Sequence, residues 1–290
     1  MKKGLVLEGG AMRGLFTAGV LDVLMENDVV FDGVIGVSAG AAFGCNYKSK
    51  QIGRCIRYNK RFAHERNYCS LYSLLKTGNL YNAEFCYHRL PDELDVMDND
   101  TYVKNPCEFW CVATDIETGK PVYHEIKTMD EEGLEWERAS ASMPIVSRPV
   151  IIHGQKLLDG GLSDSIPLAF FEKIGYDRNV VVLTQPDGYT KHPQKGMALM
   201  RPLLHQYPAV LDLLTHRHEA YNAQLQQVHR AQREGRAFVI QPQLPLEIGK
   251  TEHDPEKMEE IYQIGRQEAA HQLADLKKFL MTKYLKCRKM

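Results

Sequence analysis

Three stretches of this chain point to an α/β fold with a mostly parallel central sheet. Residues 4–7 form a short apolar strand that enters the glycine-rich turn Glu8-Gly9-Gly10-Ala11-Met12-Arg13-Gly14. Leu15, Ala18, Leu21 and Met25 then recur at helical spacing. Residues 31–37 repeat the pattern: an apolar strand ends in Gly36-Val37-Ser38-Ala39-Gly40, and small helix-compatible residues follow. Residues 179–183 are a valine-rich run of the kind buried on both faces in a parallel sheet. Two successive strand–turn–helix units place both turns at the carboxyl edge of the sheet, where open α/β sheets bind their ligands.

The bulk composition permits this and excludes other classes. The chain has 290 residues, 44% hydrophobic and 25% charged, enough for one large α/β domain or two small ones. A formal net charge of -1 gives no electrostatic case for nucleic acid as a partner. No apolar run approaches the roughly 18 residues of a membrane span. After Met1-Lys2-Lys3 the apolar run stops at Glu8, too short for a signal peptide, so a cytoplasmic chain is expected. The seven cysteines are odd in number and lack a C-x-x-C pair, which fits reduced thiols. Cys107 and Cys111 share one face of a strand and read as small buried hydrophobes, with a metal pair as the less favoured reading.

The first turn lacks the G-x-G-x-x-G spacing of a dinucleotide site and the G-K-[ST] ending of a P-loop. It can still serve as an anion cradle, an oxyanion hole or a purely structural turn, since each uses the same N–H groups at a helix start. The second turn matches G-x-S-x-G, the spacing of a serine pushed out on a sharp strand-to-helix turn.

Residues 47–89 are polar with helical patches. Arg54, Arg57, Lys60 and Arg61 read as a solvated basic face, with an anionic head-group contact as the alternative. The acidic run 90–100 lacks calcium-loop spacing and also reads as solvent-facing. Residues 107–115 and 122–126 form a strand and its hairpin partner across Thr118-Gly119-Lys120-Pro121. A helix over 135–142 stops at Pro144. A hairpin across His153-Gly154-Gln155 runs into Asp159-Gly160-Gly161, where an aspartate ends an apolar strand. Taken alone, that Asp-Gly is an ordinary turn.

Residues 166–174 read as a helix. Beyond Gln185-Pro186-Asp187-Gly188 long helices dominate, over 207–233 and from Asp254-Pro255-Glu256 onward, with one strand at 237–241. His216 and His218 are read as surface residues. Lys286-Cys287-Arg288-Lys289 is read as a frayed basic end.

Read together, the glycine turn, the serine elbow and the Asp-Gly-Gly resemble the patatin-like phospholipase family over residues 4–185. Gly9-Gly10-Ala11-Met12-Arg13-Gly14 resembles the family's oxyanion motif, Gly36-Val37-Ser38-Ala39-Gly40 its nucleophile elbow, and Asp159-Gly160-Gly161 its aspartate motif. Ala139-Ser140-Ala141-Ser142-Met143-Pro144 is similar to a family stretch upstream of that aspartate. Ala11 departs from the pattern where glycine is common; it keeps the N–H but loses easy access to positive φ.

The resemblance implies a three-layer α/β/α core over 1–185, with 186–290 as a mostly helical extension packed on it. It implies a lipid acyl hydrolase with a Ser38–Asp159 dyad, Gly9, Gly10, Ala11, Arg13 and Gly14 around the oxyanion, and neither metal nor cofactor. Ser38 attacks the ester carbonyl, Asp159 takes its proton, and water hydrolyses the acyl-serine. A histidine base is the usual alternative, and His124 and His153 are the candidates. A non-catalytic acyl-lipid or anion binding module and an acyltransferase are the competing readings. The expected partner is a lipid or other acyl-ester substrate, met by transient peripheral contact at the inner membrane face.

Overall fold

The computed structural model describes residues 1–282, so the basic end 286–289 and Cys287 lie outside the described residues. In chain order the elements are β1 (Lys2–Leu7), α1 (Gly14–Glu26), β2 (Gly33–Val37), α2 (Ala39–Lys48), α3 (Arg54–Arg61) and α4 (Leu71–Thr77). A π-helical segment (Phe85–Leu94) follows, then α5 (Asn99–Lys104), β3 (Glu108–Asp115), β4 (Pro121–Glu125), α6 (Glu131–Ala141), β5 (Val150–Ile152) and β6 (Gln155–Asp159). The chain continues through α7 (Leu168–Lys173), β7 (Tyr176–Val182), α8 (Met197–Leu204), α9 (Pro208–Arg233), β8 (Ala237–Ile240) and α10 (Pro255–Met281).

The sheet runs β5-β6-β3-β2-β1-β7-β8, with β4 also paired to β3. Strands β3, β2, β1, β7 and β8 are parallel, while β4 and β6 pair antiparallel to β3. Alternate strand residues feed two cores. Leu5, Leu7, Val34, Phe109, Val180 and Val182 face the layer containing α1, α2, α6 and α10. Val6, Ile35, Val37, Val112 and Val181 face α7 and α9. The fold is therefore three-layer α/β/α with a mostly parallel sheet, as the sequence predicts. Residues 186–282 complete it: β8 extends the sheet beside β7, and α10 packs along α1.

That last contact is close because two glycines allow it. A Cβ on Gly19 would stand 2.1 Å from the Tyr262 carbonyl oxygen, and one on Gly265 2.0 Å from that of Phe16. Across the same contact the Asp22 carboxylate accepts from Tyr262 Oη at 2.6 Å and from the Gly53 N–H at 2.9 Å.

Between 47 and 100 the structure corrects the solvated reading. Arg54 is 4% exposed and donates to the Asp95 carbonyl through Nε at 3.0 Å and Nη2 at 2.6 Å, and through Nη1 to Asn46. Arg57 forms a fork with the Asp95 carboxylate at 2.7 and 2.8 Å, Lys60 pairs with Glu259, and Arg61 donates to the Leu94 carbonyl. The basic helix and the acidic run satisfy one another. Leu90, Pro91 and Met97 are buried beneath them.

Candidate active site

Strand register brings the predicted residues to one edge. Leu7 pairs with Gly36, so the turn after β1 and the elbow after β2 leave the sheet side by side. Glycine makes the approach possible: a Cβ on Gly40 would stand 2.5 Å from the Leu7 carbonyl oxygen, and one on Gly9 3.0 Å from Ser38 Cβ. Val37 pairs with Val112, and the next residue, Ala113, pairs with Asp159. The end of β6 thus meets the end of β2 along the same edge of β3, at the elbow.

Ser38 has φ 55 and ψ -123, a backbone region that a non-glycine residue occupies only when its surroundings impose it. Its N–H donates to Ser140 Oγ at 3.1 Å. Asp159 is 6% exposed. Burial pushes its pKa up, while a side-chain hydrogen bond with Ser38, the charge of Arg217 and the Gly161 N–H act in the opposite direction. The Gly161 N–H donates to Asp159 Oδ1 at 2.7 Å, Thr114 Oγ1 to the Asp159 carbonyl at 2.8 Å, and the Asp159 N–H to the Ser142 carbonyl at 2.8 Å. Ser140 and Ser142 therefore tie the two residues to the end of one helix. Reasoning from residue chemistry alone had no signal for that role; only the family resemblance singled out the stretch.

The N–H groups of Gly9, Gly10 and Ala11 have no acceptor among the described residues, although Gly9 and Gly10 border an open groove and Ala11 is half-buried. Ala11 adopts φ 49, so the alanine takes the left-handed conformation despite its Cβ. Arg13 lines the same groove, and its buried Nε has no partner. Gly14 is placed behind the turn, where a Cβ would stand 2.7 Å from Ala39 Cβ. Gly36 and Gly160 are likewise packing positions, against the Gly40 and Val112 carbonyls.

Two cavities meet at Ala11, Ser38 and Met143. One is a mainly apolar channel of about 120 Å³, walled by Phe43, Tyr58, Tyr81, Leu90 and Met97 among others, with Glu137 and Arg54 facing it. The other is a groove of about 750 Å³ open to solvent, holding Asp159, Lys191, Arg217, His218 and Lys250. The serine stands at the junction of an oily hole and a wet, charged groove.

The histidines fall differently from expectation. His124 stacks on Trp136 at 4.0 Å, with its pKa lowered by burial, and His153 is exposed beside Glu132. Neither lines either cavity. His218, read as a surface residue, lines the groove with a buried Nδ1 that has no hydrogen-bond partner, and His192 borders it too. Periodicity alone does not reveal this, because the groove is closed by docking of α9 on the aspartate loop. Arg217 Nε donates to the Gly161 carbonyl at 2.7 Å, and Gln224 accepts from the Ser165 and Ile166 N–H groups.

Comparison with known proteins adds an independent line. The family model described as patatin-like phospholipase matches residues 5–171, and one described as a domain of unknown function (DUF6363) matches residues 207–281. The uncharacterized protein YjjU of Escherichia coli K12 is 30% identical over 297 residues, covering 96% of this chain and 79% of YjjU. Lysophospholipase nte1 of Aspergillus oryzae is 27% identical over 181 residues, covering 60% of this chain and 11% of that protein. Against the fungal relative, then, only a small part of the relative's length is matched. Among solved structures, VipD from Legionella pneumophila has a TM-score of 0.47 at 13% identity, covering 94% of this chain and 67% of that one.

Proposed function

The chain belongs to the patatin-like phospholipase family, a family of ester-bond hydrolases, and on that premise we propose that it cleaves lipid carboxylic esters through an acyl-Ser38 intermediate with Asp159 as base. The observation that carries the reading is Ser38 on a strained elbow, with buried Asp159 at the facing end of β6 and free N–H groups beside it at the mouth of an apolar channel. The lysophospholipase name of a relative 27% identical over 181 residues supports lipid as the substrate class.

In this reading the acyl chain enters the channel and the ester carbonyl lies at the cavity junction. Ser38 Oγ bonds to the carbonyl carbon, and its proton passes to Asp159. The carbonyl oxygen takes the negative charge against the Gly10 and Ala11 N–H groups, with Arg13 adding positive potential. Collapse breaks the ester C–O bond, and the leaving alkoxide takes the proton from Asp159. A water then repeats the sequence on the acyl-serine and restores the enzyme. Burial favours this use of Asp159, since an ordinary carboxylate is too acidic to be a good base at neutral pH.

Arg217 and Gln224 of the C-terminal segment hold the loop that carries Asp159. We therefore read 186–282 as packed on a catalytic core of 1–185. Contact with membrane is peripheral and transient in this scheme; no helix among the described residues is long and apolar enough to cross one.

A fluorophosphonate label is the direct test. It is expected to attach to the wild-type protein at Ser38 and not to Ser38→Ala, and p-nitrophenyl ester hydrolysis should vanish with it. An unlabelled, inactive wild type would favour the binding-module reading. Transfer of the acyl group to a lipid acceptor in preference to water would favour an acyltransferase.

A further inference from the structure

The groove carries more positive charge than the proposed chemistry uses. Arg13, Lys191, Lys195, Arg217 and Lys250 line it, and the only carboxylates among the lining residues are Glu8 and Asp159. Glu8 is already committed. Its Oε1 accepts from Tyr221 Oη at 2.6 Å, and its Oε2 from the Thr184 N–H at 2.6 Å and Thr184 Oγ1 at 3.2 Å. Asp159 belongs to the serine. Among the described residues none of the five cations forms an ion pair, whereas arginines elsewhere, such as Arg57 and Arg266, are forked to carboxylates.

Two of these cations, Lys191 and Arg217, are anchored by the structure around them. The Lys191 backbone is clamped to α9, its N–H donating to Asn222 Oδ1 at 2.8 Å and its carbonyl accepting from Asn222 Nδ2 at 3.0 Å. Its Nζ sits 4.3 Å from the Tyr221 ring centroid. Arg217 spends Nε on the Gly161 carbonyl and keeps its remaining N–H groups. Burial, with repulsion from Arg217, Arg13 and Lys250, lowers the Lys191 pKa to about 8, against the opposing pull of Glu8. Like charges gathered with only Glu8 and Asp159 against them are a standing cost that a bound anion relieves.

We infer that Lys191, Arg217 and Lys250 form the head-group wall of the site, binding the phosphate of an anionic lipid while its acyl ester reaches Ser38. The inference rests on the reading of Ser38 as the nucleophile. Arg217 suits a phosphate because its planar fork can meet two oxygens, and the lysines add charge. A choline or ethanolamine head brings its own cation into this wall and is disfavoured. An uncharged glyceride leaves the wall unpaired. The C-terminal segment thereby supplies substrate selection to a core that supplies the chemistry.

Matched one-chain lipids with the same acyl group test it: lysophosphatidate, lysophosphatidylglycerol, lysophosphatidylcholine and monoacylglycerol. The expected order of kcat/KM puts the two anionic lipids about ten-fold or more above the others, with the gap closing as salt rises. Lys250→Ala, at an exposed position, and the double variant Lys191→Met/Lys250→Ala are each expected to shrink the anionic-to-neutral ratio, mainly through KM. Calorimetry on Ser38→Ala supplies a readout free of catalysis. Glycerol 3-phosphate should bind saturably and more tightly than inorganic phosphate, and the Lys191/Lys250 substitutions should abolish that binding. Equal kcat/KM on all four lipids, or an anionic preference that survives the double variant, overturns the inference and leaves the serine-hydrolase reading intact. Inorganic phosphate binding as tightly as glycerol 3-phosphate, without head-group preference, overturns the lipid source. Lysine-dependent binding of glycerol 3-phosphate by a protein never labelled at Ser38 keeps the wall and removes the reading on which its catalytic use rests.

Discussion

Asp159 meets Ser38 because β6 runs antiparallel to β3 while β2 runs parallel to it, so the end of one strand arrives beside the end of the other. Burial raises the Asp159 pKa, and the hydrogen bond with Ser38 restrains the rise. A base must be ionised to act. The kcat/KM for a neutral p-nitrophenyl ester should therefore fall as pH drops through a value above the ordinary carboxylate range. Asp159→Asn should cost about 10²–10⁴ in kcat across the whole profile with the fold intact by circular dichroism. Full activity in Asp159→Asn together with loss in His218→Ala would assign the base to the groove histidine.

The turn after β1 has no room at Gly10, where a Cβ would stand 2.7 Å from Thr184 Oγ1. Gly10→Ala should displace the donors and lower kcat by about 10²–10³, the usual cost of an oxyanion donor. Ala11 presents the opposite case. It already holds φ 49, so Ala11→Gly exchanges relief of about 1 kcal/mol of backbone strain for a comparable loss of chain entropy. Its Tm should stay within a few degrees of wild type with activity retained.

Glu137 faces the apolar channel with the Cys45 thiol, at 3.5 Å, as its hydrogen-bond donor. Burial raises its pKa to about 8, with the Cys45 hydrogen bond and the charge of Arg54 pulling down. The folded value lies above the unfolded one. Its contribution to stability is thus complete below the unfolded pKa of about 4.3 and declines, on the order of 1 kcal/mol per pH unit, until pH passes the folded pKa. Glu137→Gln should accordingly gain stability relative to wild type between pH 5 and 8 in urea titrations. A difference that does not change with pH would show that Glu137 is already ionised in the fold.

Gly265 lies in the middle of α10, where alanine is the better helix former by about 1 kcal/mol. The close contact with the Phe16 carbonyl reverses that preference. Gly265→Ala should lower stability by about 1–3 kcal/mol in urea unfolding, as overpacking does, despite its gain in propensity. A higher Tm would mean that α10 stands further from α1.

Much of the site is legible because its parts are local. A strand that ends in glycine and small residues announces its own turn, and Asp254-Pro255 announces the start of α10, where Asp254 Oδ1 accepts from the Glu256 N–H at 2.9 Å. Arg54 reads as solvated in sequence because periodicity does not tell a solvated helix face from one that meets a distant acidic segment. Only the arrival of Asp95 distinguishes the two. His218 reads as a surface residue and Arg217 carries no signal for the same reason, since each gains its meaning from a loop brought to α9 by the fold.

From the order of residues alone follow the α/β class, the elbow at Ser38 and the glycine turn before it, because short-range backbone geometry and hydrophobic period are written in neighbouring positions, while the Asp159 turn is singled out only by the family resemblance. Tertiary structure decides which of those turns face one another, that the Ser140 side chain and the Ser142 carbonyl bind the Ser38 and Asp159 backbones, and that cations from residues 191–250 complete the groove. Those are relations between residues far apart in the chain, set by strand register and helix docking, and no local pattern encodes them.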